Sequence, residues 1–282
     1  MRVKLFAFLS AAVLFVLAAA PASASDQRGG DGQQGDGQIY LALGDSVAFG
    51  YSPLLVAGGF AGNPSVFVGY PEIAARSLEM RGVNASCPGE TTGGFLSLTN
   101  GADYRCLGYR HNFPLHVGYT TSQLDYVIAY LRAHHKVRLI TIDIGANDVF
   151  KAGCTTTACI GAVLAGIEAN LRFIFGQIRN VAHYHHALVA VTYYSLSYDS
   201  ASAAGTQALN APIIAATKAF DGLVASGFDA FQGRALAAGG SSCAAGLLIV
   251  TQASPLVCDV HPTPLGQHLL ANAVVNAVEE EG

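Results

Sequence analysis

Short apolar runs that halt at glycine or a small polar residue recur along this chain, and between them apolar positions return at helical spacing. Ile39-Tyr-Leu-Ala-Leu43 stops at Gly44-Asp45-Ser46, Val83 to Cys87 stops at Pro88-Gly89-Glu90-Thr91, and Val137 to Ile144 stops at Gly145-Ala146-Asn147-Asp148. Ala187 to Tyr193 is a fourth run of the same kind. Runs this short, bounded by turn residues, read as parallel strands buried on both faces. Helices are predicted between them: from Pro71-Glu72 through Met80, with proline in the first turn where its missing donor costs nothing, and after the capping box Ser122-Gln-Leu-Asp125, followed by Leu124, Val127, Ile128 and Leu131 on one face. Further helices are predicted along Ile160 to Ile178, from a cap at Asn210 through Ile213, Phe220 and Leu223, and after Thr263-Pro264. Ser226 to Phe231 fits either a fifth strand or another helix. Strands alternating with helices predict an α/β fold, a three-layer α/β/α sandwich with a mostly parallel sheet, in one domain over residues 39–282 without internal repeat or linker.

Two stretches lack a clean period. Gly94 to Tyr119 is rich in turn residues, and a loop that long in a compact domain is usually functional. Tyr51 to Val68 mixes Leu54, Leu55, Val56, Phe60, Val66 and Phe67 with Gly58, Gly59, Gly62 and Pro64. Its place just after Ser46 suits a lining for an apolar substrate cleft or a lid, and equally a packed loop.

The start of the chain is not fold. Arg2 and Lys4 precede an apolar run from Leu5 to Ala20, and Ala22-Ser-Ala24 offers small residues for cleavage, so residues 1–24 read as a secretory signal peptide. Residues 25–38, mostly Gly, Asp, Gln and Ser, read as a disordered leader. No cysteine follows the signal to take a lipid, and no later apolar run is expected to span a bilayer, so the expected product is secreted, extracellular, monomeric and without a stable membrane anchor. Six Cys suit an oxidising compartment. Their order suggests the pairs Cys87 with Cys106, Cys154 with Cys159 and Cys243 with Cys258. No CxxC occurs, which weighs against zinc. The formal net charge of −4 becomes about −6 once the signal peptide, with Arg2 and Lys4, is removed, which argues against nucleic acid or an anionic membrane as a partner. His134, His135, His183, His185 and His186 end helical patterns, where they complement the helix dipole better than they would bind metal.

The chemistry enters at the strand ends. In a parallel sheet every carboxyl end lies on one edge, so Ser46, Gly89 and Asn147 can converge although far apart in sequence. Cys258-Asp259-Val260-His261-Pro262, just before the last helix, returns to the same edge. Taken singly, Ser46 is a helix cap, Gly89 a turn residue, Asn147 another cap and His261 a loop histidine. Together they supply a serine, a histidine with a nearby aspartate, and oxyanion donors, the parts needed for acyl transfer. No Gly-x-Ser-x-Gly elbow occurs, which disfavours the α/β-hydrolase arrangement.

On Gly44-Asp45-Ser46, Gly89 within Pro-Gly-Glu-Thr, Gly145-Ala-Asn147-Asp148 and Asp259-Val-His261-Pro262, the chain resembles the SGNH, or GDSL, hydrolase superfamily, in particular its secreted bacterial lipase and esterase branch. The resemblance implies a flavodoxin-like sheet of about five strands. It implies Ser46 as nucleophile, His261 as general base and then acid, and an oxyanion hole from the amides of Ser46 and Gly89 and the side chain of Asn147. One position departs from the pattern: the acid usually stands three residues before the histidine, where this chain has Cys258. Either Asp259, two before, orients the imidazole, or the main-chain carbonyl of Cys258 does. The expected function is a secreted serine esterase or lipase acting on small-molecule or lipid esters, with no metal or organic cofactor. The alternatives are a carbohydrate acetyl esterase and a non-catalytic exported binding module.

Overall fold

Five strands lie side by side, every neighbouring pair parallel, in the order β2-β1-β3-β4-β5. They are β1 (Ile39–Gly44), β2 (Arg81–Asn84), β3 (Val137–Asp143), β4 (Ala187–Val191) and β5 (Leu223–Ala225). The computed structural model describes residues 37–98 and 104–280, so the expected signal peptide and nearly all of the leader lie outside the described residues. The strand order is that of a flavodoxin-like doubly wound sheet, with the reversal of direction between β1 and β3. Six buried residues in a row in β1, and six of seven in β3, follow from covering both faces with helices.

The helices fall into two packed groups. One joins α3 (Tyr70–Ser77), α10 (Gly227–Ala237) and α11 (Pro264–Glu279); the other joins α4 (Thr92–Leu96), α6 (Gln123–Ala133), α8 (Thr157–Gly176) and α9 (Ser200–Lys218). Both contribute to one large apolar core centred on the sheet, giving the three-layer α/β/α sandwich. Short helices fill the loops: α1 (Ser46–Phe49), α2 (Pro53–Ala57), α5 (Tyr104–Asn112) and α7 (Ala146–Ala152). Two last strands, β6 (Leu248–Gln252) and β7 (Val257–Pro262), make a separate antiparallel hairpin.

Several expectations need correction. The helix expected to start at a cap on Asn210 starts at Ser200, capped by the Asp199 carboxylate. Asn210 lies in its middle, buried, where its Oδ1 accepts from Tyr193 N at 2.9 Å and its Nδ2 donates to Tyr193 O at 2.8 Å. The first six residues of this helix are Ala, Ser and Gly, without the apolar contrast that marks a helical face. Leu223 belongs to β5, and Ser226 caps α10, which resolves the ambiguous stretch as helix. The aperiodic region from Gly94 to Tyr119 includes the end of α4 and all of α5, too short to show a period. One described helix, Thr157–Val181, is long and apolar enough to cross a bilayer, contrary to expectation. It nevertheless carries the ion pair Arg172 to Glu168 at 2.8 Å, and Ile167, Leu171, Ile174 and Phe175 are buried in the core.

All six cysteines are paired as their order suggests: Cys87 to Cys106, Cys154 to Cys159 and Cys243 to Cys258. Closing a loop of the third pair's length stabilises by about 3 kcal/mol through the unfolded chain.

β3 ends in Asp143, 1% exposed, whose Oδ1 has no hydrogen-bond partner among the described residues. Burial, and then the charge of Asp45 beside it, push this carboxyl well above the ordinary carboxylate range. An acid raised in this way holds its proton in the folded state at pH values where the unfolded chain has lost it, so its contribution to stability falls as pH rises above about 4. Asp143→Asn keeps the shape of the protonated acid and cannot ionise. Unfolding free energies between pH 4 and 8 should show the variant gaining on wild type with rising pH, on the order of 1 kcal/mol per pH unit while the group titrates; parallel curves would contradict this.

Candidate active site

The site begins where β1 turns into α1. Gly44 has φ of +126°, and a Cβ there would lie 2.1 Å from Asp143 O, so only glycine lets the two strand ends approach this closely. Asp45 N donates to Asp143 O at 2.9 Å, and the Asp45 carboxylate caps α1 by accepting from Val47 N at 2.9 Å. Ser46 is therefore the first residue of a helix at the carboxyl edge of the sheet, and its amide has no acceptor within its own helix.

The hairpin brings in the other side chains. His261 Nε2 lies 2.8 Å from Ser46 Oγ. Its Nδ1 faces Asp259 Oδ1, and the same oxygen accepts from His261 N at 3.0 Å. Both residues are in β7, an extended strand whose side chains alternate. A spacing of two therefore puts carboxylate and imidazole on one face, and the acceptor before Nδ1 is the carboxylate rather than the carbonyl of Cys258. Burial works to raise the Asp259 carboxyl, but hydrogen bonds from the His261 ring and amide outweigh it and hold the group below its ordinary value. The Tyr51 ring packs against the imidazole with centroids 4.8 Å apart. The hairpin is tied down by Cys243–Cys258, by Tyr194 OH donating to Val260 O at 2.7 Å and by Thr263 N donating to Leu247 O at 2.9 Å.

Asn147, in the first turn of α7, donates from Nδ2 to Glu90 O at 3.0 Å and to Asp45 Oδ2 at 3.2 Å. Gly89 has φ of +81°, and a Cβ there would meet Arg105 Cβ at 2.6 Å, so this turn also requires glycine. Ser46, Gly89 and Asn147 thus sit on three neighbouring loops. A fully buried Gln123 links two of them: its Oε1 accepts from Gly44 N at 3.0 Å, and its Nε2 donates to Gly44 O at 2.9 Å and to Glu90 Oε2 at 3.1 Å. The third is joined by Asp148, which accepts from Thr92 N at 2.9 Å and Thr92 Oγ1 at 2.6 Å. Asp45 Oδ2 also accepts from Tyr193 OH at 2.6 Å. Burial raises the Asp45 carboxyl to about 6, although the hydrogen bonds from Tyr193 and Val47 and the nearby His261 oppose it. Gln123 and Tyr193 were not singled out from the sequence; a glutamine beside a helix cap and a tyrosine closing an apolar run carry no local sign of burial against a site. Cys87, Glu90 and Cys106 form a compact group of metal-ligand types, but both sulfurs are in a disulfide.

A cleft of about 690 Å³ opens beside Ser46, Asn147 and His261. Its walls come from α7, α8 and α9 and from the segment after β4. The stretch 51–68, expected as a possible lining, contributes none of the residues around it; Leu55, Val56, Val66 and Phe67 pack instead with Phe49, Cys87 and Cys106 in a second small core.

The model of the GDSL-like Lipase/Acylhydrolase family matches residues 42–269. No functionally curated protein matches the chain. Among solved structures, the acetylxylan esterase Axe2 from Geobacillus stearothermophilus superposes with a TM-score of 0.53 at 18% identity, covering 87% of this chain and 96% of its own. LAE5, described as an alpha/beta hydrolase enzyme from the metagenome of Lake Arreo, Spain, gives 0.53 at 17% identity, covering 86% and 95%. At these identities the likeness is one of fold, and with the family match over most of the domain it places the chain in the GDSL-like lipase/acylhydrolase family, among the SGNH-type hydrolases.

Proposed function

We propose that this hydrolase is a secreted serine esterase that cleaves carboxylic esters through an acyl-enzyme. The observation that carries the reading is the relay from Ser46 Oγ to His261 Nε2, at 2.8 Å, with Asp259 facing the other ring nitrogen. A serine hydroxyl is a weak nucleophile until a base takes its proton, and this base is oriented by a carboxylate. His261 accepts the Ser46 proton as Oγ attacks the ester carbonyl, then passes it to the departing alcohol. Water, activated by the same imidazole, releases the acid. Asp259 stabilises the imidazolium that forms in both steps. The negative oxygen is held by the amides of Ser46 and Gly89 and by Asn147 Nδ2. Both protons of that side-chain amide are engaged at rest, and the longer contact, to Asp45 at 3.2 Å, is the one that yields to an oxyanion.

The apolar wall of the cleft supports acyl esters over acetylated sugars as substrates. Acetyl-carbohydrate hydrolysis is the second reading, prompted by the names of the structural relatives. Three disulfides support an oxidising, extracellular destination.

Ser46→Ala should abolish hydrolysis of p-nitrophenyl esters and labelling by a fluorophosphonate, with an unchanged melting temperature; residual wild-type turnover would refute the mechanism. Asn147→Ala should lower kcat roughly a hundred- to a thousandfold with KM little altered, as for other side-chain oxyanion donors. For Asp259→Asn, steady-state assays should give a loss of roughly a thousandfold or more, because the amide offers the imidazolium no charge and holds the wrong tautomer; near-normal kcat would return the role to a main-chain carbonyl.

A further inference from the structure

The cleft extends well past the reacting atoms, and its far wall has an unusual composition. On α9 the residues that line it include Ser202, Gly205, Thr206 and Leu209, a set spaced to share one helical face. Opposite stand Ile160 and Leu164 of α8, one turn apart. At the rim, Phe150 and Leu196 are 56% and 44% exposed, large apolar side chains left in water beside the opening. The hydroxyl of Thr206 is occupied by Ser195 Oγ and Ser202 O, each at 3.1 Å, so it adds little free polarity. The wall made by α8 and α9 offers a sugar few hydroxyl partners, whereas a hydrocarbon chain would lose nothing there. An opening of about 690 Å³ is also far larger than an acetyl group needs and lies within the usual range for drug-sized ligands.

Gly205 opens the wall. It lies inside a 19-residue helix, where glycine is among the poorest helix formers, and a Cβ built on it meets nothing within 4 Å. Helix packing does not call for a glycine there. What its missing side chain provides is room on the cleft side of α9, between Ser202 and Leu209.

Building on the esterase reading above, we propose that the cleft between α8 and α9 holds a straight acyl chain well beyond acetyl in length, and that Gly205 determines how long a chain is accepted. The cleft starts at Ser46, Asn147 and His261 and follows α7, the helix that carries Asn147; in this proposal the acyl side of the ester lies along it. Each methylene that leaves water on entering should raise kcat/KM about fourfold until the cleft is filled.

The test measures kcat/KM for p-nitrophenyl esters from acetate to palmitate with wild type, Gly205→Ala and Gly205→Leu. Wild type should prefer chains longer than acetate. Gly205→Leu should leave acetate within about twofold and reduce the longer esters at least tenfold, with Gly205→Ala between them; both variants should melt no lower than wild type, since each replaces a helix-interior glycine. A wild type restricted to acetate, or a leucine variant that slows all lengths equally or none, overturns the proposal. So does a shift confined to a series of alkyl acetates, which would put the alcohol in the cleft. A pocket failure is separated from a failure of the serine mechanism by calorimetry with decanoate on Ser46→Ala and on Ser46→Ala with Gly205→Leu. Binding by the first and not the second supports the acyl site whatever the turnover, and no binding by either overturns it.

Discussion

Three buried polar side chains and a half-buried fourth hold the carboxyl edge of the sheet together, and the geometry of the site depends on them. Where parallel strands end, their last peptide groups lose the ladder and need other partners. Gln123 satisfies both the N–H and the carbonyl of Gly44, Asn147 satisfies Glu90 O, Asp45 gathers Val47, Asn147 and Tyr193, and Asp148 holds Thr92. Apart from the cap on Val47, these bonds tie the strand-end segments to one another, directly or through Gln123 at the start of α6, so the positions of Ser46, Gly89 and Asn147 are set jointly rather than loop by loop. The arrangement is under electrostatic load, because Asp45 and Asp143 are both about 1% exposed and neighbours. A shared site of this kind favours one charge over two. Asp45, with three donors, is the one suited to carry it.

His261 and Asp259 obey a different constraint. They belong to a hairpin outside the main sheet, so their approach to Ser46 is governed by how that hairpin docks. The alternation of a strand fixes the two side chains relative to each other, while the disulfide and the bonds from Tyr194 and Thr263 fix the pair relative to the sheet. Geometry within the pair is thus local, and geometry between the pair and Ser46 is tertiary.

This division explains what could be read in advance. β1, β3 and β4 were legible because burial on both faces leaves continuous apolar runs, and α6 and α11 because Ser122 and Thr263-Pro264 announce them; β2 lies at Arg81–Asn84, two residues ahead of the expected Val83 to Cys87, because its first half is exposed, and the three residues of β5 are too few to show a run. The polar stops at Gly44-Asp45-Ser46 and Gly145-Ala-Asn147-Asp148 pointed to the edge where the site lies. The start of α9 was hidden because Ala and Ser make no amphipathic contrast, and Asn210, a frequent cap, serves there to bridge the peptide of Tyr193. The hairpin was hidden too: Val257 to Pro262 is half-exposed and has a disulfide cysteine and two working residues where apolar positions would signal a strand. Gln123 and Asp143 look like ordinary polar positions until the fold buries them. Of the apolar residues of 51–68 that suggested a cleft, Leu55, Val56, Val66 and Phe67 pack with Phe49, Cys87 and Cys106 while Leu54 and Phe60 stay exposed, and the cleft is walled by helices whose small residues gave no such sign.

Ser46 and His261 are 215 residues apart in the chain. Synthesis runs from one to the other, so the serine exists long before its base does, and during that interval its hydroxyl is no more reactive than any other. The sheet and most of the helices can assemble around Ser46 without producing a hydrolase, because the hairpin follows all five strands of the sheet in the chain. This order amounts to a built-in delay: the relay is complete only once β7 has been made and its hairpin, with the Cys243–Cys258 bond, has docked beside Ser46.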